Sequence, residues 1–301
     1  MTTVSVVIIS KNERGLDDTL RALAPQCVDM GAETIVVDAS NGALDDIAEK
    51  HPGVRWIKFT GTRRDKRITI PEQRNAGVRA ATGEVIVFID CGCVPEPGWL
   101  RTLTGPILAG DEEIVTGPTP SRLRASVYDA HVDRRATRRY VDECPTGNLA
   151  FTRRAFDAVR GFDESFDYGS DIDISWRWRA AGFRILSSEA VVRVDWGTAP
   201  RQVKRSFLWG AGRARLYVKH RNRLRELPRR DPIVLAYPLF MLGLPVMLLS
   251  VYWPVAMLYP ALVVLPLWRN RRHQPLQTVV GHFAYGAGVL WQLGRRGNPW
   301  S

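Results

Sequence analysis

Acidic residues all but disappear from the last third of this chain. Of 31 Asp and Glu in 301 residues, only Glu226 and Asp231 lie beyond residue 198, against 16 Lys and Arg there, so the entire +11 excess belongs to residues 199–301. Cysteine is scarce as well. Cys27, Cys91, Cys93 and Cys144 make no disulfide framework, and Cys91-x-Cys93 lacks the second pair of a structural zinc site. Such usage suits a reducing compartment. No glycine-rich phosphate loop follows the first apolar run; SKNER, Ser10 to Arg14, stands there instead, which argues against a nucleotidyltransferase. No secretory signal is expected, because Val4 to Ile9 is too short for one and runs straight into charge. Finally, charge itself is missing over the 36 residues from Ile233 to Trp268.

What is present reads as repeated strand and helix units. Val4 to Ile9 is a short, unbroken apolar run rich in β-branched residues, the mark of a strand buried on both faces. A short helix follows from Gly15 to Ala24 with Leu16, Leu20 and Leu23 on one side, then a strand Thr34 to Val37 and a helix Leu44 to Lys50. Val54 to Phe59 is a third strand, Pro71 opens a helix to about Ala81, and Val85 to Ile89 is the central strand. This order predicts an α/β domain whose parallel sheet is covered by helices on both faces, with right-handed crossovers.

Three of these strands end in polar residues, at Ser10 to Glu13, at Asp38 and at Asp90. Ligands of open α/β sheets collect outside the carboxyl ends of the strands, so three such ends suggest a crevice. Arg63, Arg64, Lys66 and Arg67 precede the Pro71 helix and Arg74 lies in its first turn, where side-chain charge and the helix amino terminus would both favour an anion.

The segments VSVVIISKNERGLDDTLRAL, ETIVVDAS, EQRNAGVRAATGEVIVFIDCGCVPEPGWL and TGNLAFTRRAFDAVRGFDESFDYGSDIDISWRWRAAGFRI come in an order and spacing that resembles the family 2 glycosyltransferases of the GT-A fold, over residues 3 to about 196. The resemblance implies a GT-A, Rossmann-like, mostly parallel sheet that binds a nucleoside-diphosphate sugar. It assigns Ser10, Asn12, Glu13 and Asp38 to the nucleotide and Asp90, through a divalent cation such as Mg²⁺ or Mn²⁺, to the diphosphate. Asp171, at the start of a helix Asp171 to Ala181, becomes the base of an inverting transfer. Read without the family, it is an acid stabilised by its helix's amino terminus.

Two departures bear on the metal. Gly92 stands where the family's Asp-x-Asp has its second acid, and Ser170 where a Glu precedes the base. Asp195 takes the place of a further, histidine ligand after the last strand. Two solutions stay open: a cation on Asp90, the donor and Asp195, or cationic side chains, with Arg74, Arg67 or Arg201 meeting the diphosphate directly. Gly147 and Asn148 match the segment that lies beside the acceptor in relatives, and Trp176 is a candidate for stacking on a sugar. No Gln-x-x-Arg-Trp follows the Asp171 helix, so one sugar per encounter is expected. With two acids missing, a degenerate scaffold without catalysis remains the alternative from another class.

Composition changes after residue 198, which predicts three regions: the glycosyltransferase domain 1–198, basic amphipathic interfacial helices at 199–230, and an α-helical membrane region at 231–301. Residues 199–230 hold eleven Lys and Arg against one Glu, interleaved with aromatic and aliphatic residues. An anionic membrane surface, rather than nucleic acid, is the partner this predicts. The uncharged run about 233–268 is long enough for a hairpin of two spans at about 20 residues each, flanked by arginines that would keep both ends cytoplasmic. About 276–293 is a third apolar segment. The expectation is an integral membrane protein at the cytoplasmic face, with a lipid-linked hydroxyl, or alternatively a polyprenyl phosphate, as acceptor.

Overall fold

A computed structural model describes residues 2–61, 68–122, 126, 128–129, 138–249, 258–269 and 274–295. The chain divides into two compact units: Met1–Leu123 with His131–Asp195, and Arg124–Ala130 with Trp196–Ser301.

The first unit is built on β1 (Val4–Ser10), α1 (Leu16–Met30), β2 (Glu33–Asp38), α2 (Asp45–Lys50), β3 (Arg55–Lys58), α3 (Ile70–Ala80), β4 (Val85–Ile89), β5 (Val94–Pro95), α4 (Trp99–Leu108), β6 (Ile114–Thr116), β7 (Asn148–Thr152), α5 (Arg153–Ala158), α6 (Ser170–Ala180), β8 (Leu186–Ser187) and β9 (Val192–Arg193). Its main sheet has the order β3-β2-β1-β4-β7-β6-β8. The strands β3, β2, β1 and β4 are parallel, as expected of apolar runs joined by helices. β7 breaks the pattern: it pairs antiparallel with β4 and with β6, Ile89 opposite Asn148. A sheet that is mostly, not wholly, parallel results.

Both faces of the sheet are covered. On one, Leu16, Leu20 and Leu23 of α1 and Trp99, Leu100 and Leu103 of α4 pack on Val6, Ile8, Val85 and Val87. On the other, Val78 of α3 and Ile174 and Trp178 of α6 pack on Val7, Ile35, Ile86, Phe88 and Phe151. The helix expected to stop at Ala24 continues through Pro25 to Met30, because its buried stripe extends to Cys27. One lost hydrogen bond at the proline is outweighed by that burial. α3 starts where the sequence places it, at a full capping box between Thr69 and Glu72.

The second unit contains α7 (Ala199–Lys219), a 3₁₀ turn (Arg221–Glu226), α8 (Leu227–Arg230), α9 (Pro232–Leu249), α10 (Leu258–Arg269) and α11 (Pro275–Gly294). α7 and α11 meet backbone to backbone. A Cβ on Gly210 would stand 2.0 Å from the Tyr285 carbonyl oxygen, and one on Gly288 1.9 Å from that of Phe207.

The expected membrane-spanning region is not found among the described residues. Among the described residues no helix is long and apolar enough to cross a membrane. α10 is described over 12 residues, and residues 250–257, where the expected hairpin would turn, lie outside the described residues. α9 is described over 18 residues, about 27 Å at about 1.5 Å per residue, where the hydrocarbon layer is about 30 Å thick. α11 has 20, but it includes Gln277, His282 and Gln292 and spends Gly288 on its contact with α7. The integral-membrane localisation therefore does not stand.

Candidate active site

Strand order decides what meets at the carboxyl edge of the sheet. β1 and β2 run side by side with Ser10 opposite Asp38, and β4 lies on the other side of β1, so residues 10–13, Asp38 and Asp90 leave the sheet along one edge. Ser10 is buried, its hydroxyl 3.7 Å from the Cys91 sulfur. Asn12 takes a left-handed conformation, φ 59°, and its N–H donates to Ser40 Oγ at 2.7 Å. Glu13 is exposed, and its carbonyl accepts from Cys91 Sγ at 3.4 Å. Asp38 is buried; one carboxylate oxygen accepts from the Ser40 N–H at 3.0 Å. It borders an open hollow of about 270 Å³ lined also by Asn41, Gly42, Asp45, Lys58, Phe59 and Thr60.

The antiparallel pairing of Ile89 with Asn148 brings Gly147 alongside Asp90, whose side chain is half exposed. Arg74, on the second turn of α3, is 6 % exposed and donates through Nη2 to Asp90 Oδ1 at 3.3 Å. Its guanidinium lies 5.8 Å from the centre of the Phe162 ring, and its buried Nε has no hydrogen-bond partner among the described residues. Asp171 is the second residue of α6, whose cap Gly169 adopts φ 89°. Burial holds its carboxyl above the usual carboxylate range; the nearby Arg74 charge and the Ile172 N–H, 2.9 Å from Oδ1, work the other way, and Asp90 adds to the rise. Asp90, Arg74 and Asp171 thus form one electrostatic group. Asp173 does not belong to it: fully buried, it pairs with Arg177 at 2.8 Å.

Two acceptor-side expectations need correction. Asn148 is completely buried, its Nδ2 donating to Pro118 O at 3.0 Å and Ala190 O at 2.7 Å while Oδ1 accepts from Trp99 Nε1 at 2.9 Å. The amide ties three segments together and has nothing left for a sugar. Trp176 is likewise buried, donating to Glu143 Oε1 at 2.8 Å, so its ring is core and not a stacking platform. Arg67 lies outside the described residues.

The sequence reading missed Asn75 and Phe162. Asn75 Nδ2 donates to Phe162 O and Glu164 Oε1 at 2.9 and 2.8 Å, and Oδ1 accepts from the Phe162 N–H at 2.9 Å. That clamp sets the ring against which Arg74 lies. The available signal was an asparagine inside a helix, where it is a poor former and needs a reason to be there.

The resemblance implies a divalent cation at Asp90, and the donor set does not fit one. Among the described residues no three His, Cys, Asp or Glu could hold a metal ion. The residue two beyond Asp90 is Gly92, Asp195 is an exposed residue beyond β9, and Asp90 already faces a guanidinium. Burial pushes the Cys91 thiol up to about 12, so it stays protonated beside Asp90.

Known proteins bear on this geometry. The family model described as glycosyl transferase family 2 matches residues 5–165. Pre-mycofactocin glycosyltransferase of Mycobacterium tuberculosis is 29% identical over 262 residues, which is 80% of this chain and 53% of that protein. The succinoglycan biosynthesis protein ExoA of Rhizobium meliloti is 30% identical over 160 residues, 49% of this chain and 47% of its own. The chain thus spans about half the length of these relatives. Among solved structures, the mannosyltransferase PcManGT from Pyrobaculum calidifontis, in complex with GDP-Man and Mn²⁺, aligns with a TM-score of 0.72 and 18% identity, over 98% of this chain and 88% of that one. At such identity the likeness speaks for the fold. With the family model covering more than half its length, the chain belongs to glycosyl transferase family 2.

Proposed function

We propose that this glycosyltransferase moves one sugar, with inversion at the anomeric carbon, from a nucleoside-diphosphate sugar to a hydroxyl of a lipid-linked or otherwise membrane-proximal acceptor. The observation that carries this reading is the grouping of Asp90, Arg74 and Asp171, two carboxylates with a buried guanidinium acting on both. Ser10, Asn12, Glu13 and Asp38 border the nucleoside, and the hollow beside Asp38 receives its base.

In the transfer, the bond from the anomeric carbon to the diphosphate oxygen breaks and its electron pair leaves with the diphosphate. The acceptor oxygen attacks the opposite face of the sugar, and its proton passes to an Asp171 carboxylate oxygen. The transition state is oxocarbenium-like, with negative charge growing on the leaving group, so a cationic donor beside Asp90 stabilises it more than the ground state. A base works best when its pKa lies near the working pH, and the raised value of Asp171 moves it in that direction.

For the acceptor, the support is the surface of the second unit. Leu239, Leu242, Val264, Leu265, Trp268 and Leu276 are exposed there, on a segment with sixteen Lys and Arg and two acids. Exposed apolar side chains on a strongly basic segment suit peripheral contact with an anionic lipid surface, where a lipid-linked hydroxyl would be presented.

The test is a thermal-shift screen of UDP-, GDP- and dTDP-sugars, followed by turnover with the donor that binds. A ligand at 100 times its Kd adds about 2.7 kcal/mol to stability. If no sugar nucleotide binds or is hydrolysed, the fold serves as a scaffold and the catalytic reading fails.

A further inference from the structure

Arg74 is an under-compensated buried cation. Burying a guanidinium is costly unless its donors are matched, yet among the described residues this one has, beside the nearby Asp171 charge, one 3.3 Å hydrogen bond to a carboxylate that is half exposed, and a buried Nε with no hydrogen-bond partner. It is also held in place. α3 fixes its direction through the Thr69–Glu72 capping box, and Asn75, next along the helix, clamps the Phe162 ring against which the guanidinium lies. A pre-set donor fork with unused hydrogen-bonding capacity calls for an anion with several acceptor oxygens. Beside it stands Asp90, with Gly92 at φ 83° where the resemblance would place a second acid.

We propose that the Arg74 guanidinium, and not a divalent cation, neutralises the donor's diphosphate beside Asp90, so that this chain binds its donor without metal. The inference rests on the glycosyltransferase reading of the site. Asp90 then has a positioning role: it holds Nη2 until the donor arrives, and the long 3.3 Å contact is readily exchanged for a diphosphate oxygen. A carboxylate without a bridging cation repels a diphosphate, which sets the sign of its substitution.

The experiment is calorimetric titration of the full chain with UDP, GDP and dTDP, in chelator and in Mg²⁺ or Mn²⁺. Nucleotide affinity in chelator should lie within about threefold of that with metal, and Arg74→Lys, which keeps the charge but loses the fork, should weaken it about tenfold or more. Asp90→Asn retains an acceptor oxygen for Arg74 and should bind the nucleotide in chelator as well as the unaltered chain or better. Because this exchange stands at a half-exposed side chain, it keeps the proposal open to test even if the Arg74 variant folds poorly.

Binding that chelator abolishes and Mn²⁺ restores overturns the proposal. So does an Asp90→Asn variant that loses affinity about tenfold, the mark of a metal ligand. Nucleotide binding in neither condition overturns the glycosyltransferase reading itself, and this inference with it.

Discussion

Gly147 leaves room for Asp90: a Cβ at position 147 would stand 2.8 Å from Asp90 Oδ2 and 3.1 Å from its carboxyl carbon. The backbone of one segment is therefore the wall against which the acid of another rests. Gly147→Ala is expected to push the carboxylate off its present line and loosen its contact with Arg74. Overpacking of this kind costs about 1–3 kcal/mol, and here it should appear as a fall in Tm, with nucleotide affinity in chelator, read by calorimetry, within about threefold of the unaltered chain because the donor displaces the Asp90 contact in any case.

Asp171→Asn keeps the shape of the side chain and removes the base. Turnover is expected to fall by about 10²–10⁴-fold while donor Kd changes little, measured by single-turnover kinetics beside direct binding. Donor binding lost in parallel would mean that Asp171 holds the nucleotide sugar and does not take the proton.

The raised pKa of Asp171 has two signs that can be checked. An acid whose folded pKa lies above its unfolded value is more easily protonated in the native state, so its ionisation costs stability as pH rises from the ordinary carboxylate range through the raised value. Asp171→Asn should accordingly raise Tm near neutral pH and lose that advantage in acid, seen in a pH series of thermal melts. Activity runs oppositely, because the base must be ionised. The acid limb of the kcat profile should lie above the usual carboxylate range, and Arg74→Gln, by removing a charge that lowers the Asp171 pKa, should move that limb further up.

Asn148→Ala orphans the Trp99 indole N–H and the Ala190 carbonyl at once, while the Pro118 carbonyl keeps the Val192 N–H at 3.1 Å. Unsatisfied buried groups cost about 1–3 kcal/mol each, so a loss of at least about 2 kcal/mol in denaturant unfolding is expected. An acceptor ligand would instead show itself as a raised acceptor KM at unchanged stability.

These cases also mark where sequence reasoning succeeds. The places of Asp90 and Asp171 were legible because each sits at an element boundary, one at the end of an apolar run, the other in the first turn of a helix, while the roles given to them came from the resemblance alone. Asn148 and Trp176 were not, because the direction of a side chain at a strand or helix start depends on which segments pack over it. Pro118, Ala190 and Glu143 are distant in sequence. The antiparallel entry of β7 escaped for the same reason, its partner β4 lying more than fifty residues earlier. The membrane expectation failed differently. Hydropathy averaged over 36 residues counts apolar side chains, whereas crossing a bilayer needs them on one continuous helix of sufficient length.

The reversal at β7 has a consequence for how such a chain can diverge. Because Ile89 and Asn148 are locked as ladder partners, the chain between β6 and β7 enters and leaves at fixed points of the sheet, whatever its length or content. Away from Pro118 and Gly147, which touch Asn148 and Asp90, residues can be added, removed or exchanged there without disturbing the two strand ends that hold the carboxylate in place. A protein organised this way can acquire new customers for the same sugar by editing a single excursion of its backbone.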